Sequence, residues 1–163
     1  MSMKYECRVR FVKGTTDQWE DYVKVFENSA LHDHYFKNRE KDYLKEWLMG
    51  PLENGNVIVA ETEDERDPVG VMVYDMHGMF AEFPYLCLLG VKDGYRKQAI
   101  GSRLIDVFFD ISKHAGFDKC FICTSHFNAR ARALYQRKGF KPLVLVPALI
   151  EKDINEWLFM RRL

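Results

Sequence analysis

The chain has 163 residues, the length of one ordinary domain, and apolar residues make up 47% of it. A core of this size can be packed, which excludes an intrinsically disordered protein. Lys and Arg together number 24, as do Asp and Glu, so the formal net charge is zero. Nucleic-acid-binding domains usually carry a basic excess, and we therefore expect no nucleic-acid partner.

Membrane insertion and secretion are not predicted either. No apolar run reaches the length that a bilayer-spanning helix needs, so we expect no membrane partner. The simplest account of the four cysteines is a cytosolic protein with reduced thiols. We therefore predict a soluble, cytoplasmic protein.

The chain opens on a strand followed by a helix. Residues 5–12 alternate with period two and predict the first strand. Asp17 and Glu20 have the spacing of a capping box, which predicts a helix that begins there and runs to about Leu31.

Apolar periodicity and turn signals predict the remaining elements. In chain order these are a helix over 38–49 that stops at Gly50-Pro51, strands over 56–62, 69–76 and 84–91, a helix from Ile100 to Gly116, a strand over 119–124, a helix over 129–138, and strands over 140–146 and 154–161. This order predicts an α/β fold with a mixed, mostly antiparallel central sheet and flanking helices. Since no repeat or linker interrupts it, we predict one domain over residues 4–163.

The segment 91–104 carries the strongest chemical signal. Here an apolar strand leads through a short loop into an amphipathic helix. The first turn of a helix has unpaired N–H groups and the positive end of the helix dipole, and both attract phosphate oxygens. Ala99 and Gly101 are small enough to let a ligand approach the backbone, and Arg96 and Lys97 add positive charge. The segment therefore predicts a diphosphate site.

This segment resembles the pyrophosphate loop of the GNAT N-acetyltransferase superfamily. The family pattern is Arg or Gln, two residues, Gly, any residue, then Gly or Ala, and here Arg96, Ala99 and Gly101 occupy those positions. Ala99 departs from the glycine that the family mostly has there. We expect its methyl group to narrow the approach to the diphosphate.

A later segment, 128–140, resembles a second motif of the same family. The family has an Asn after its fifth strand, then a helix that bears a Tyr, then Gly-Phe, and Asn128, Tyr135 and Gly139-Phe140 match it. Positions seven apart share one helix face, roughly 10 Å apart along the axis. The resemblance implies that Asn128 bonds the pantetheine or diphosphate of CoA and that Tyr135 approaches its sulfur. A plain helix cap for Asn128 and a core aromatic for Tyr135 stay open as alternatives.

The resemblance implies a GNAT-like acyl-CoA N-acyltransferase fold and transfer of acetyl from acetyl-CoA to a primary amine. In the family, the splayed central strand offers a backbone N–H to the oxyanion and pairs with pantetheine. Tyr135 is implied as the acid that protonates the leaving thiolate. The residues implied to bind the cofactor are Leu89, Gly90, Val91, Arg96, Lys97, Gln98, Ala99, Ile100, Gly101, Ser102, Asn128, Tyr135 and Lys138.

The general base and the acceptor stay open. Many family members have a Glu four residues before the position of Val91, where this chain has Cys87, so that role is not carried over; Glu82 and Tyr85 are nearby substitutes. The family walls its acceptor site with its first two helices, which makes His34, Tyr35 and Tyr85 the substrate candidates. This region is aromatic and not strongly acidic, which favours a small-metabolite or amino-acid-like amine over a polyamine, for which several carboxylates would be expected.

Three alternatives to this function and assembly remain. A non-catalytic acyl-CoA sensor with the same fold and an acetyltransferase acting on protein amines are both compatible with the motifs. A homodimer is left open as well.

No metal cofactor is predicted. Cys120 and Cys123 lie three apart in a predicted strand, where side chains at that spacing point to opposite faces. His32 and His34 have no third ligand anchored beside them.

Overall fold

The computed structural model describes residues 7–39 and 42–163. Its elements are β1 (Val9–Lys13), a 3-10 turn (Thr16–Gln18), α1 (Trp19–Lys24), a π-helical turn (His32–Phe36), α2 (Tyr43–Glu53), β2 (Val57–Thr62), β3 (Pro68–Met79), β4 (Phe83–Val91), α3 (Ile100–His114), β5 (Lys119–Ser125), α4 (Ala129–Arg137), β6 (Lys141–Val146) and β7 (Glu156–Arg162).

The strands form a seven-stranded sheet in the order β1-β2-β3-β4-β5-β7-β6. The β4–β5 pair is parallel, whereas β1–β2, β2–β3, β5–β7 and β6–β7 are antiparallel. This confirms the predicted α/β class with a mixed, mostly antiparallel sheet. The chain divides into two compact units, unit 1 with Met1–Val73 and Leu88–Leu104, and unit 2 with Tyr74–Cys87 and Ile105–Leu163.

Unit 1 is built on the ladder of β1 and β2. Every residue of β2 is buried, as expected for a strand with apolar contacts on both faces. Its one acidic residue, Glu61, is paired with Arg10 and Arg66, which compensates the burial of its charge. Helix α2 buries leucines four residues apart, so one apolar stripe faces the core: Leu44, Leu48 and Leu52.

Unit 2 is built on the ladder of β5 and β7, which pairs all seven residues of each strand. Aromatic side chains fill its core. The Phe109 ring lies 5.6 Å from the Phe140 ring, and the Arg161 guanidinium lies 3.9 Å from the centre of the Phe109 ring. Because cations attract the faces of aromatic rings, this contact helps to hold β7 against α3.

The first helix is shorter than predicted. α1 ends at Lys24 instead of continuing to Leu31, and the chain reaches a left-handed residue at Asn28, with φ of 53°. Asparagine tolerates this conformation, which no continuous right-handed helix contains. The predicted capping box is wrong too, because neither N-cap side chain in this region makes a capping bond. The expected strand start at residue 5 lies outside the described residues, and β1 begins at Val9.

The prediction that the second helix stops at Gly50-Pro51 is also wrong. α2 starts at Tyr43 and continues through both residues to Glu53. Proline normally conflicts with the Cβ of the residue before it in a helix, and Gly50 has none. The helix ends instead at Glu53, and Gly55, two residues further on, has φ of 70° and donates its N–H to the Leu52 carbonyl.

Candidate active site

The loop that joins β4 to α3, residues 92–99 in unit 1, has an unusual backbone. Lys97 and Ala99 have positive φ values of 63° and 60°, whereas φ is negative at the residues before each of them. Such alternation of right- and left-handed residues turns successive N–H groups toward one side. The result is a concave arrangement, called a nest, that binds anions.

The loop opens directly into the N-terminus of α3. The first helical bond runs from the Arg103 N–H to the Ala99 carbonyl, at 2.9 Å. The N–H groups of residues 100–102 therefore lie in the first turn, which has no acceptors within the helix itself. Ile100 and Leu104 hold this turn against β3 at Gly70, where an added Cβ would lie 3.0 Å from each side chain. The nest and the helix terminus together fit an anionic diphosphate group.

Ala99 departs from the family pattern in a way that its backbone explains. At φ of 60° a non-glycine residue brings its Cβ close to its own carbonyl, which costs roughly 1–2 kcal/mol. Glycine adopts this conformation without that cost. The glycine preference of the family at this position therefore follows from backbone conformation, in addition to the space that the methyl group occupies.

The polar side chains of the loop support its shape. Arg96 donates from Nε to the Val91 carbonyl at 3.1 Å and from Nη2 to the Glu27 carbonyl at 3.4 Å. Gln98 accepts from the Cys7 N–H at 3.2 Å. Arg96 thus ties the end of β4 to the residues that follow α1. Lys97 is exposed, and Gly101 and Ser102 are half-buried.

The end of β4 makes a close contact inside unit 1. A Cβ on Gly90 would lie 2.5 Å from Cε1 and 2.7 Å from Cδ1 of Phe26. Phe26 is buried, with 1% of its surface exposed. Glycine is therefore required here for packing. Its neighbours Leu89 and Val91 are half-buried.

In unit 2, Asn128 caps α4. Its Oδ1 accepts a hydrogen bond from the Ala131 N–H at 3.1 Å. The helix-cap alternative is therefore correct for this oxygen atom. The N–H groups of the Asn128 side-chain amide are the part that would bind a ligand. Lys138, at the other end of α4, pairs with Asp106 and lies 6.0 Å from the centre of the Phe109 ring.

Tyr135 lies on the inner side of α4 between two aromatic rings. Its ring centre is 6.0 Å from that of Phe140 and 6.2 Å from that of Phe159. Burial, with the nearby Cys123 thiol adding to the effect, raises the pKa of the Tyr135 hydroxyl above its usual value. The hydroxyl is therefore protonated at neutral pH, as a proton donor must be.

The residues considered as bases differ in exposure and charge. Glu82 is exposed in the turn between β3 and β4. Burial, followed by the Asp75 carboxylate, raises the pKa of the Cys87 thiol to about 12, so Cys87 is neutral at physiological pH. Burial likewise raises the pKa of Tyr85, and the nearby Cys123 thiol adds to the effect. None of these three combines burial with a carboxylate.

Strand β7 carries a buried carboxylate, Glu156, that was not among the site residues predicted from the sequence. Glu156 is 2% exposed and accepts a hydrogen bond from the Ser125 hydroxyl at 2.8 Å. The sequence feature that could have identified Glu156 is an acidic residue on the same strand face as two apolar residues, Leu158 and Met160. Within unit 2 the described ladder between β4 and β5 ends at the Leu86–Ile122 pair, although β5 continues to Ser125.

The other substrate candidates lie in unit 1. His34 is exposed and Tyr35 is half-buried on the π-helical turn. The Lys37 N–H donates to the His32 carbonyl at 2.8 Å, which closes that turn. Isolated π turns occur frequently at functional sites. In the described ranges 7–39 and 42–163, no three His, Cys, Asp or Glu side chains are grouped to hold a metal ion. Over the same ranges, no helix combines the length and hydropathy needed to cross a membrane.

The model of the acetyltransferase (GNAT) family matches residues 15–140. This match covers more than half of the chain, and the chain therefore belongs to that family.

Individual relatives agree with this family. A mycothiol acetyltransferase from Beutenbergia cavernae is 36% identical over 58 residues, which cover 36% of this chain and only 20% of that enzyme. An acetyltransferase of the GNAT family from Desulfovibrio desulfuricans has a TM-score of 0.77 at 19% identity, over 95% of this chain and 99% of that one. The NatC complex bound to Gag peptide and CoA has a TM-score of 0.72 at 17% identity, over 96% and 99%. At these identities the two structures establish the fold alone.

Proposed function

We propose that this chain is an N-acetyltransferase that moves an acetyl group from acetyl-CoA to the primary amine of a small metabolite or amino-acid-like acceptor. The observation that carries the proposal is the anion-binding backbone of residues 96–102, in a chain that belongs to the GNAT family. We propose further that residues 4–163 act as one acetyltransferase domain in the cytoplasm.

The loop and the central strand would bind the donor. Nest and helix N–H groups would hold the diphosphate, and a backbone N–H among residues 89–91 would hold the thioester oxygen as negative charge develops on it. The Asn128 side chain would donate to the pantetheine or the diphosphate. Arg96 and Gln98 would act through the loop backbone, because both already bind protein groups.

The transfer would be direct. The neutral amine nitrogen attacks the thioester carbonyl carbon and a C–N bond forms. The nitrogen then releases one proton to solvent, and the C–S bond breaks. The sulfur then takes a proton from the Tyr135 hydroxyl, which regains one from solvent. The raised pKa of Tyr135 supports this role, since the hydroxyl keeps its proton until charge appears on the sulfur.

The preference for a small acceptor has partial support. The matched relative from Beutenbergia cavernae is named for mycothiol, a small molecule. The NatC structure, in contrast, holds a peptide, so a peptide or protein amine is the second candidate.

The test is a panel of amines incubated with acetyl-CoA, with free thiol measured by a chromogenic reagent. The panel should contain amino acids, aminosugars, spermidine, and peptides with free N-termini or lysines. We expect binding of acetyl-CoA and selective turnover of a small amine. Binding without turnover on any amine would favour the sensor, and strong selectivity for spermidine would refute the acceptor preference. Absence of binding would refute the function altogether.

A further inference from the structure

Large apolar side chains are exposed on β6 and on the residues that follow it, in unit 2. The described residues contain six exposed large apolar side chains, and four of them lie within ten residues of sequence: Leu143, Val144, Leu149 and Ile150. Each of these four exposes between 47% and 56% of its surface. Single exposed apolar residues are ordinary, whereas several along one short stretch indicate an interaction surface.

The same stretch carries no charge. Residues 142–150 read Pro-Leu-Val-Leu-Val-Pro-Ala-Leu-Ile, so nine successive positions lack an ionisable side chain. Charged residues make up 29% of the chain, and nine positions would therefore carry two or three of them on average. We call residues 142–150 the apolar edge segment.

Strand β6 forms an edge of the sheet. The strand order ends on β6, which pairs with β7 from Lys141 to Val146. Residues of an antiparallel strand alternate between those whose N–H and C=O groups point to the partner strand and those whose groups point away from it. Within residues 7–39 and 42–163, no strand pairs with the outer side of β6. The outward groups of β6 can therefore form a ladder with an added strand.

The other edge strand, β1 in unit 1, has the charges that β6 lacks. The strand order begins on β1, whose exposed residues are Arg10 and Lys13. Exposed charges on an edge strand oppose the addition of another strand. In β6 the residues that follow Lys141 are also exposed, but they are Pro142, Leu143 and Val144. Of the two edges, β6 is therefore the one that suits pairing.

A second copy of this chain fits the β6 edge by charge and by symmetry. Two identical strands that pair antiparallel are related by a twofold axis, so the same surface of each copy meets its counterpart. Charged side chains near such an axis would meet like charges, and the apolar edge segment has none. The formal net charge of the chain is zero, so two copies approach each other without net repulsion.

The sheet beside β6 offers further apolar surface to such an interface. A stable interface takes about 800 Å² from each partner, with an apolar centre and a polar rim. Val144 is opposite Leu158 in the β6–β7 ladder, so the two side chains share one face of the sheet. Leu158, and Met160 two residues further along β7, are only half-buried. Their remaining surface extends the exposed apolar area from the edge strand onto its neighbour.

We propose that two copies of this chain pair antiparallel through the outer edges of β6, which joins their sheets and buries the apolar edge segment of each copy. Pro142 lacks an N–H, and the ladder register shifts between Pro142 and Val144, so the first part of β6 is unsuited to pairing. The ladder between the copies therefore runs through residues 144–146, with the twofold axis near Leu145. This assembly does not depend on the proposed acetyl transfer.

The first test measures molar mass by sedimentation velocity over a wide range of protein concentration. We expect a dimer for the wild type. In Val144→Lys, two like charges would lie close to the twofold axis, and the Kd of the dimer should rise by about 10²-fold or more. The matched controls are Trp47→Lys and Phe80→Lys, the same change at the two exposed large apolar residues outside the apolar edge segment. Both controls should leave the Kd of the dimer unchanged.

A mixing experiment distinguishes loss of the interface from loss of the fold. Val144→Lys and Val144→Glu should each be monomeric, and an equal mixture of the two should form a heterodimer because opposite charges then meet near the axis. Mixing would not rescue a variant that fails to fold. The far-ultraviolet circular dichroism of each variant should match that of the wild type.

Disulfide cross-linking tests the register. Residues opposite each other in an antiparallel ladder have Cα atoms about 4.5–5.5 Å apart, which is within the range that a disulfide spans. Leu145→Cys should therefore form a covalent dimer on mild oxidation. The wild type, which has four free cysteines, and Arg10→Cys on the other edge strand should not.

The outcomes decide the proposal without any measurement of acetyl transfer. A dimeric wild type that Val144→Lys dissociates and that charge mixing restores supports it. A wild type that is monomeric at every concentration overturns it. A dimer that persists in Val144→Lys, or that dissociates equally in Trp47→Lys or Phe80→Lys, overturns it as well, because the interface then lies elsewhere.

Discussion

The contact between Gly90 and Phe26 allows a prediction from distances alone. In Gly90→Ala the new Cβ would lie 2.5 Å from Cε1 of Phe26, about 1 Å closer than an ordinary carbon–carbon contact. Gly90 does not have a positive φ that an alanine would strain. The whole cost of the substitution therefore arises from the clash. Because Phe26 is buried, its ring has little space into which it can move.

Overpacking of a core by one carbon typically costs about 1–3 kcal/mol, and this geometry lies at the upper end. For a chain of this length, about 2–3 kcal/mol lowers the melting temperature by roughly 4–12 °C. The assay is thermal and urea unfolding of Gly90→Ala, Phe26→Leu and the double variant. Phe26→Leu loses burial but removes Cε1, the atom that would lie nearest to the new Cβ. We therefore expect the double variant to be more stable than the sum of the single changes implies, by about 1 kcal/mol or more.

A second alanine provides the comparison. Gly116 has φ of 89°, and nothing lies within 4 Å of a Cβ added to it. Gly116→Ala should therefore cost only the roughly 1–2 kcal/mol of strain in a left-handed residue. This cost should be the same with Phe or Leu at position 26. Wild-type stability in Gly90→Ala would contradict the packing argument. So would additivity of Gly90→Ala and Phe26→Leu to within about 0.3 kcal/mol.

Other substitutions separate binding, catalysis and stability. Ala99→Gly should raise the melting temperature by roughly 2–8 °C by removing left-handed strain; no rise would show a different loop backbone. Gly101→Val should raise the Kd of CoA tenfold or more, about 1.4 kcal/mol, whereas an unchanged Kd in folded protein would place the diphosphate elsewhere. Tyr135→Phe should keep the melting temperature and the Kd of CoA but lower turnover about 10²-fold; near-normal turnover would remove it from catalysis. Cys87, with its pKa raised from 9.0 to about 12, should resist iodoacetamide at pH 8 by mass spectrometry. Because the unfolded thiol ionises near pH 9 and the folded one does not, the free energy of unfolding should fall as pH rises above 9, and a flat value up to pH 11 would contradict this shift.

The sequence predicts the elements whose signals are local. The helix from Ile100 to Gly116 shows a clear 3.6-residue period and a terminal glycine, and α3 ends at His114 with Gly116 left-handed behind it. The end of α1 at Lys24 was not predictable in the same way. Val25 and Phe26 continue an apolar pattern, yet the chain turns because these side chains are needed in the core. Tertiary packing here overrides the helical pattern.

The donor site could be predicted from the sequence for a physical reason. A diphosphate is recognised largely by backbone N–H groups, and the backbone of one short loop is determined by neighbouring residues. The motif at 96–101 therefore predicts the chemistry of the loop. The conformation of Ala99 was not predictable, since an alanine gives no sign that it will be left-handed.

The polar side chains on the face of the sheet that carries Glu156 could not be predicted in this way, because they belong to no local pattern. Tyr85, Cys123 and Ser125, and Glu156 come from three strands that are separated by more than 30 residues along the chain, and only the ladder register brings their side chains onto one face. An acid at the start of an apolar strand is ordinarily a solvent-facing residue, and burial alone separates Glu156 from that case.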